Sequence, residues 1–257
     1  MNVVSHSYPF LPLWLLTLLL LAALLMAREL GAALGRHPRS RPNEKDEDFA
    51  MTTVLGLLAL LIGFTFSIAL QRYDTRRALV VEEANAIGTT WLRTELLAEP
   101  DRPRVRSLML DYTRARVAFG HAKTNEQELA LHRASLAIQT RLWNEMVSAT
   151  NAFTDTARAS LVLSTTNEAI DLAGERMANR QAHIPPRILW MLVLISVLAA
   201  GLVGYERPNQ RRTSALVLTL FSLAAALVVD LDRPTTGITN VPQTAMTELL
   251  EGMQTPL

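Results

Sequence analysis

Apolar residues along this chain gather into four nearly uncharged runs, Leu11–Ala27, Met51–Leu70, Ile188–Tyr205 and Ser214–Val229, each 16 to 20 residues long. A helix needs about 20 residues, and in practice about 17, to cross the ~30 Å hydrocarbon core of a bilayer. Four transmembrane helices are therefore expected. Between the second and third runs, Gln71–Pro186 has a different pattern, with apolar residues recurring at helical spacing on a polar background. Leu79, Ala86, Ile87, Thr90 and Trp91 continue the second span as far as Pro100. A helix after Pro103 carries Val105, Leu108, Tyr112 and Val117. Another starts at "NEQE", where Asn125 and Glu128 have capping-box spacing, and carries Leu129, Leu136, Leu142, Trp143 and Met146. A fourth starts near "TDTA", carries Leu161, Leu163, Ile170 and Leu172, and stops at "HIPP".

Sustained alternation of β-branched residues is missing, so the predicted fold is an all-α membrane protein, four transmembrane helices with a helical bundle inserted between the second and third. The expected division is 1–35 first transmembrane helix, 36–49 charged loop, 50–70 second transmembrane helix and 71–186 extramembrane domain. It continues with 187–205 third transmembrane helix, 206–212 short basic loop, 213–230 fourth transmembrane helix and 231–257 polar tail. Met1–Phe10 has no Lys or Arg to open a signal peptide, so the first run is read as a retained span.

Composition changes this picture little. A hydrophobic share of 49% would fit a soluble domain; its concentration in four runs would not. Cysteine is absent, which excludes disulfides and thiolate chemistry. The net charge of +1 gives no reason to expect a nucleic-acid partner. Lys and Arg near span ends set orientation, but the two sides are nearly even. One has Arg28, Arg36, Arg39, Arg41, Lys45, Arg207, Arg211 and Arg212; the other has Arg72, Arg76, Arg77, Arg176, Arg180, Arg187 and Arg233.

Enzyme chemistry finds no foothold. His6, His37, His121, His132 and His183 are scattered, and no Walker loop, GxGxxG or GxSxG occurs. Glu128 and His132 stand one helical turn apart, half of a metal site with nothing nearby to complete it, and read as a capping Glu beside a surface His. "VEEANA" reads as a solvated helix face. The protein is not expected to be an enzyme, and nothing calls for a cofactor.

The second span carries more information. At 3.6 residues per turn, Thr53, Gly56, Leu60, Gly63, Phe64, Ser67 and Gln71 fall on one strip, and Leu55, Leu58, Ile62, Phe66 and Ala69 on the other. Small residues let helices pack closely in lipid; the same strip could line a pore in which Leu60 and Phe64 form a constriction gated by dewetting. Asp230 and Asp232 end the last span, where the helix dipole disfavours carboxylates. With Arg72, Arg76, Arg77 and Arg187 they belong to one membrane surface, as a salt-bridge collar, an ion vestibule or, at Asp230 and Asp232, a divalent-cation site. Asn167, Asp171 and Glu175 line up on the helix returning to the membrane, and are expected to pack against "EEANAIG".

The run "GLLALLIGFTFSIALQRYDTRRALVVEEANAIGT" resembles the second membrane helix of bestrophins, in which a Gly-Phe near the middle is followed by an Arg-aromatic pair; here these are Gly63, Phe64, Arg72 and Tyr73. "RRALVVEEANAIGT", "NEAID" and "DLDRPTTG", in this order, resemble the bacterial bestrophin-like four-span family across nearly the whole chain. The bestrophin neck would carry over to Phe64 and Leu60, while its third position is Gly56, which constricts nothing; Asp230 and Asp232 are a remnant of the acidic calcium clasp. The resemblance implies a homo-oligomer, pentameric in bestrophins, that passes inorganic anions across a lipid bilayer, here the bacterial inner membrane. It also implies that the insert and both termini face the cytoplasm. The alternative is a non-conducting membrane scaffold or sensor whose insert binds a partner or lipid.

Overall fold

A computed structural model describes residues 11–36, 44–235 and 237–255. His6, His37, Arg39 and Arg41, with the chain start and much of the 36–49 loop, lie outside the described residues. The order is α1 (Leu13–Gly35), α2 (Glu44–Arg93), a 3-10 turn (Thr94–Leu96), α3 (Asp101–Gly120), α4 (Asn125–Thr150), α5 (Thr156–Gln181), α6 (Pro186–Glu206), α7 (Arg211–Asp232) and α8 (Thr244–Gln254). Strands are absent among the described residues, as the lack of alternation predicts. Four helical stretches are long and apolar enough to cross a membrane. Two compact units result, one formed by residues 1–71 and 183–233, the other by residues 72–182 and 234–257.

In the membrane unit α1 packs on α6 at very short range. A Cβ on Gly31 would overlap the Gly201 carbonyl, and one on Gly204 would overlap the Arg28 carbonyl. Only glycine permits such backbone approach, which in lipid gains van der Waals contact where no hydrophobic force exists between helices. Arg28, on α1, is buried and donates to the carbonyls of Arg207 (3.2 Å) and Pro208 (3.0 Å) while pairing with Glu29. Leu58 and Ile62 of α2 pack with Leu192 and Ala199 of α6 and with Phe221 of α7. Ser222 Oγ donates to the Thr17 carbonyl, tying α7 to α1.

The unit of residues 72–182 and 234–257 is a helical bundle whose core includes Val80, Ile87, Val105, Met109, Leu142, Met146 and Val162. Three sequence expectations change here. Residues 231–257 are not simply a polar tail: Met246 and Met253 of α8 enter this core, and the seven-residue spacing puts both on one helical face. The N-cap of α4 is Thr124, which accepts from the Gln127 N–H, so the capping box is set one residue earlier than Asn125–Glu128. Leu129 and Leu136 are exposed, and Leu142 and Met146 carry that helix's buried face. At the chain's other end, α2 starts at Glu44, within the stretch read as loop.

Candidate functional site

The helix α2 runs without interruption from Glu44 to Arg93, since nothing between Gln71 and Glu83 removes a backbone donor or offers a cap. Within the membrane unit its burial follows the helical period. Leu58, Ile62, Thr65 and Ala69 are buried, the Thr65 hydroxyl being satisfied by the Leu61 and Ile62 carbonyls. Thr53, Gly56, Leu60, Gly63, Phe64, Ser67 and Gln71 are all exposed, Leu60 at 53% and Phe64 at 60%. A Cβ built on Gly56 or Gly63 meets no atom within 4 Å. Within one chain the strip is exposed along its length, with open space at both glycines.

Of the residues expected at the membrane surface, Asp230 and Asp232 are each 3% exposed. Asp232 accepts the Ile184 N–H (2.9 Å), and the His183 ring nitrogen lies 3.2 Å from its carboxylate. The local reason is "HIPP": Pro185 and Pro186 have no N–H, and the chain before them is extended enough to present Ile184 to the end of α7. His183, absent from the expected collar, is thus a partner of one of its acids. Among the described residues no group of three or more His, Asp or Glu is arranged to hold a metal. In the unit of residues 72–182 and 234–257, Arg76 is buried and donates to the carbonyls of Asn179 (3.1 Å) and Ala182 (2.6 Å), tying α2 to the end of α5. Arg72 is half-buried; Arg77 and Arg187 are exposed.

A second polar centre lies wholly inside the same unit. Glu83, in the stretch read as solvated, is fully buried and takes both Arg116 and Arg176, with Arg176 Nη1 2.6 Å from its carboxylate. Burial would push the Glu83 carboxyl up, but the two guanidiniums outweigh it and hold it below the usual carboxylate range. Arg116, Arg180 and Arg176 also stack on the Phe119 ring at 4.5, 4.8 and 5.4 Å. Glu128 pairs with Arg180 at 2.5 Å, so it is neither a solvent-facing cap nor half of a metal site. His132 lies beside Phe119, and burial, reinforced by Arg116, pushes its pKa down. Asn167, Asp171 and Glu175 are exposed, contrary to the expectation that they pack; Asn167 donates to Asp171 at 2.9 Å.

The family model for the Bestrophin-like domain matches residues 17–246. The chain belongs to the Bestrophin-like family. Its fold is that of crystal structures of a bacterial bestrophin homologue from Klebsiella pneumoniae. With one of these the Bestrophin-like protein shares 16% identity and a TM-score of 0.67, over 95% of this chain and 99% of that one. Two single-residue variants of the homologue give TM-scores of 0.67 and 0.64, at 14% and 16% identity, over 95% and 94% of this chain and 99% and 96% of theirs. No curated protein matches this Bestrophin-like sequence. Family and helix lengths together make it an integral membrane protein built on the bestrophin fold.

Proposed function

We propose that this Bestrophin-like protein is the subunit of a homo-oligomeric membrane ion channel whose pore is lined by α2 through Thr53, Gly56, Leu60, Gly63, Phe64, Ser67 and Gln71. One observation carries the reading: the strip from Thr53 through Gly56, Leu60, Gly63 and Phe64 to Ser67 is exposed in its own chain, with open space at both glycines. A face for lipid alone would have no use for Thr53, Ser67 and Gln71, since polar groups in hydrocarbon are costly. Around the axis of a ring the same residues would meet water, with Leu60 and Phe64 as the apolar constriction. The likeness to bestrophins supports a pentamer that passes inorganic anions, in the bacterial inner membrane with the insert and termini in the cytoplasm.

The test is the oligomeric state of the detergent-solubilised protein together with ion flux into liposomes for the unsubstituted protein and Phe64→Ala. A ring of subunits is expected, with flux raised in Phe64→Ala because truncation widens and wets the constriction. The melting temperature should change little, because a ring 60% exposed leaves little buried area to lose. A monomer or dimer, background flux in both proteins and a destabilisation of about 3–5 kcal/mol would show Phe64 to be a packing residue. The non-conducting scaffold would then be the better account.

A further inference from the structure

Asp74 stands three residues beyond Gln71 on the same uninterrupted helix. At 100° per residue, a step of three returns to within about 60° of its start. Gln71 and Asp74 therefore share the side of α2 that also holds Gly56, Gly63 and Ser67. The Asp74 side chain is exposed. It makes no hydrogen bond or ion pair among the described residues, although Arg77 follows it by three positions. That spacing is enough for a pair elsewhere in the chain: Asp101 takes Arg104, and Asp111 takes Arg114. Arg77 is a further 60° round, about 120° from Gln71 and off the strip.

We propose that Asp74 is a selectivity-determining residue of the pathway, its carboxylate forming a ring at the end of the pore-lining strip that enriches cations and depletes anions. The inference rests on the pore reading of α2. A carboxylate with a local partner would present little net field. One without a partner, repeated in every subunit round a narrow opening, adds its charge at a single level of the pathway. Asp74 thereby opposes the anion passage that the bestrophin likeness supports, so the selectivity of this channel is set against that residue as well as by the apolar constriction.

The experiment uses the full-length protein in liposomes or planar bilayers under a tenfold NaCl gradient, with the reversal potential as readout. Asp74→Asn should raise the chloride-to-sodium permeability ratio by about three- to tenfold at low salt. The shift should shrink towards 1 M salt, where the Debye length is about 3 Å. The chain has no cysteine, so Asp74→Cys gives one thiol for methanethiosulfonate reagents. The sulfonatoethyl reagent should restore the original ratio, and the trimethylammonioethyl reagent should move it further towards chloride. Both variants should melt with the unsubstituted protein, since the carboxylate has no partner to lose. Unchanged reversal potentials in Asp74→Asn and in both labelled forms, from rings that conduct, overturn the role of Asp74 and leave the pore standing. Absence of flux from every form removes the pore reading, and this assignment with it.

Discussion

Glu83 shows how far a residue's role can lie from its local pattern. In "VEEANA" it has the same immediate context as Glu82, yet Glu82 is exposed and Glu83 is fully buried. Its partners are 33 and 93 residues away, so nothing within a helical turn betrays them. The same holds for Glu128, whose partner Arg180 is 52 residues distant. Removing one member of a buried ion pair leaves the others charged in a low dielectric, and Glu83→Gln strands two guanidiniums. A loss of about 3–5 kcal/mol is expected, read as a lower melting temperature in detergent. Linkage adds a pH dependence. Because the folded-state pKa of Glu83 is held below its unfolded value, its stabilisation is complete above the ordinary carboxylate range. It is lost as pH falls through that range towards the depressed folded value. Melting curves from neutral to acid pH should therefore slope less in Glu83→Gln than in the unsubstituted protein. Equal melting points and equal acid slopes would mean that the buried carboxylate is dispensable.

At the scale of elements, glycines on two membrane helices make opposite predictions. Gly31 faces the Gly201 carbonyl with no room for a Cβ, whereas Gly63 faces open space. Gly31→Ala forces the two backbones apart, and overpacking of this kind costs about 1–3 kcal/mol or more. Gly63→Ala should leave the melting temperature unchanged or slightly raised, since alanine is the better helix former by about 1 kcal/mol. A Gly63→Ala protein destabilised as much as Gly31→Ala would mean that the α2 strip packs closely after all. Elements were unevenly legible in the sequence. The spans and most of the insert's helices follow from hydropathy and period, because a spanning helix must be apolar throughout and a bundle helix on one face. The strip on α2 was legible as a pattern, but whether it packs or stays open depends on its neighbours, which periodicity does not contain. Helix α8 was missed because its apolar residues, Met246, Leu249, Leu250 and Met253, are few and lie within a short, otherwise polar stretch.

Taken whole, the molecule has two cores held by different forces. The membrane unit relies on close backbone approach between α1 and α6 and on apolar contacts such as those of Leu58 and Ile62 with Leu192. The unit of residues 72–182 and 234–257 relies on apolar burial around Met109, Met146 and Met246, together with the Glu83 ion-pair network. Sequence composition anticipates that division, since apolar side chains in lipid lose nothing by facing outward while those in the insert must be covered. If the cores are separable, a lesion in one should loosen its own helices first. Hydrogen exchange on the full-length protein tests this, because local opening free energies range from near zero up to the global value. Glu83→Gln should speed exchange in α3, α5 and residues 72–93 of α2, by about tenfold for each 1.4 kcal/mol lost from local opening. Gly31→Ala should do the same for α1 and α6. Faster exchange spread evenly over all helices in either variant would mean that the chain opens as one cooperative body. In that case the two cores are a division of contacts and not of stability.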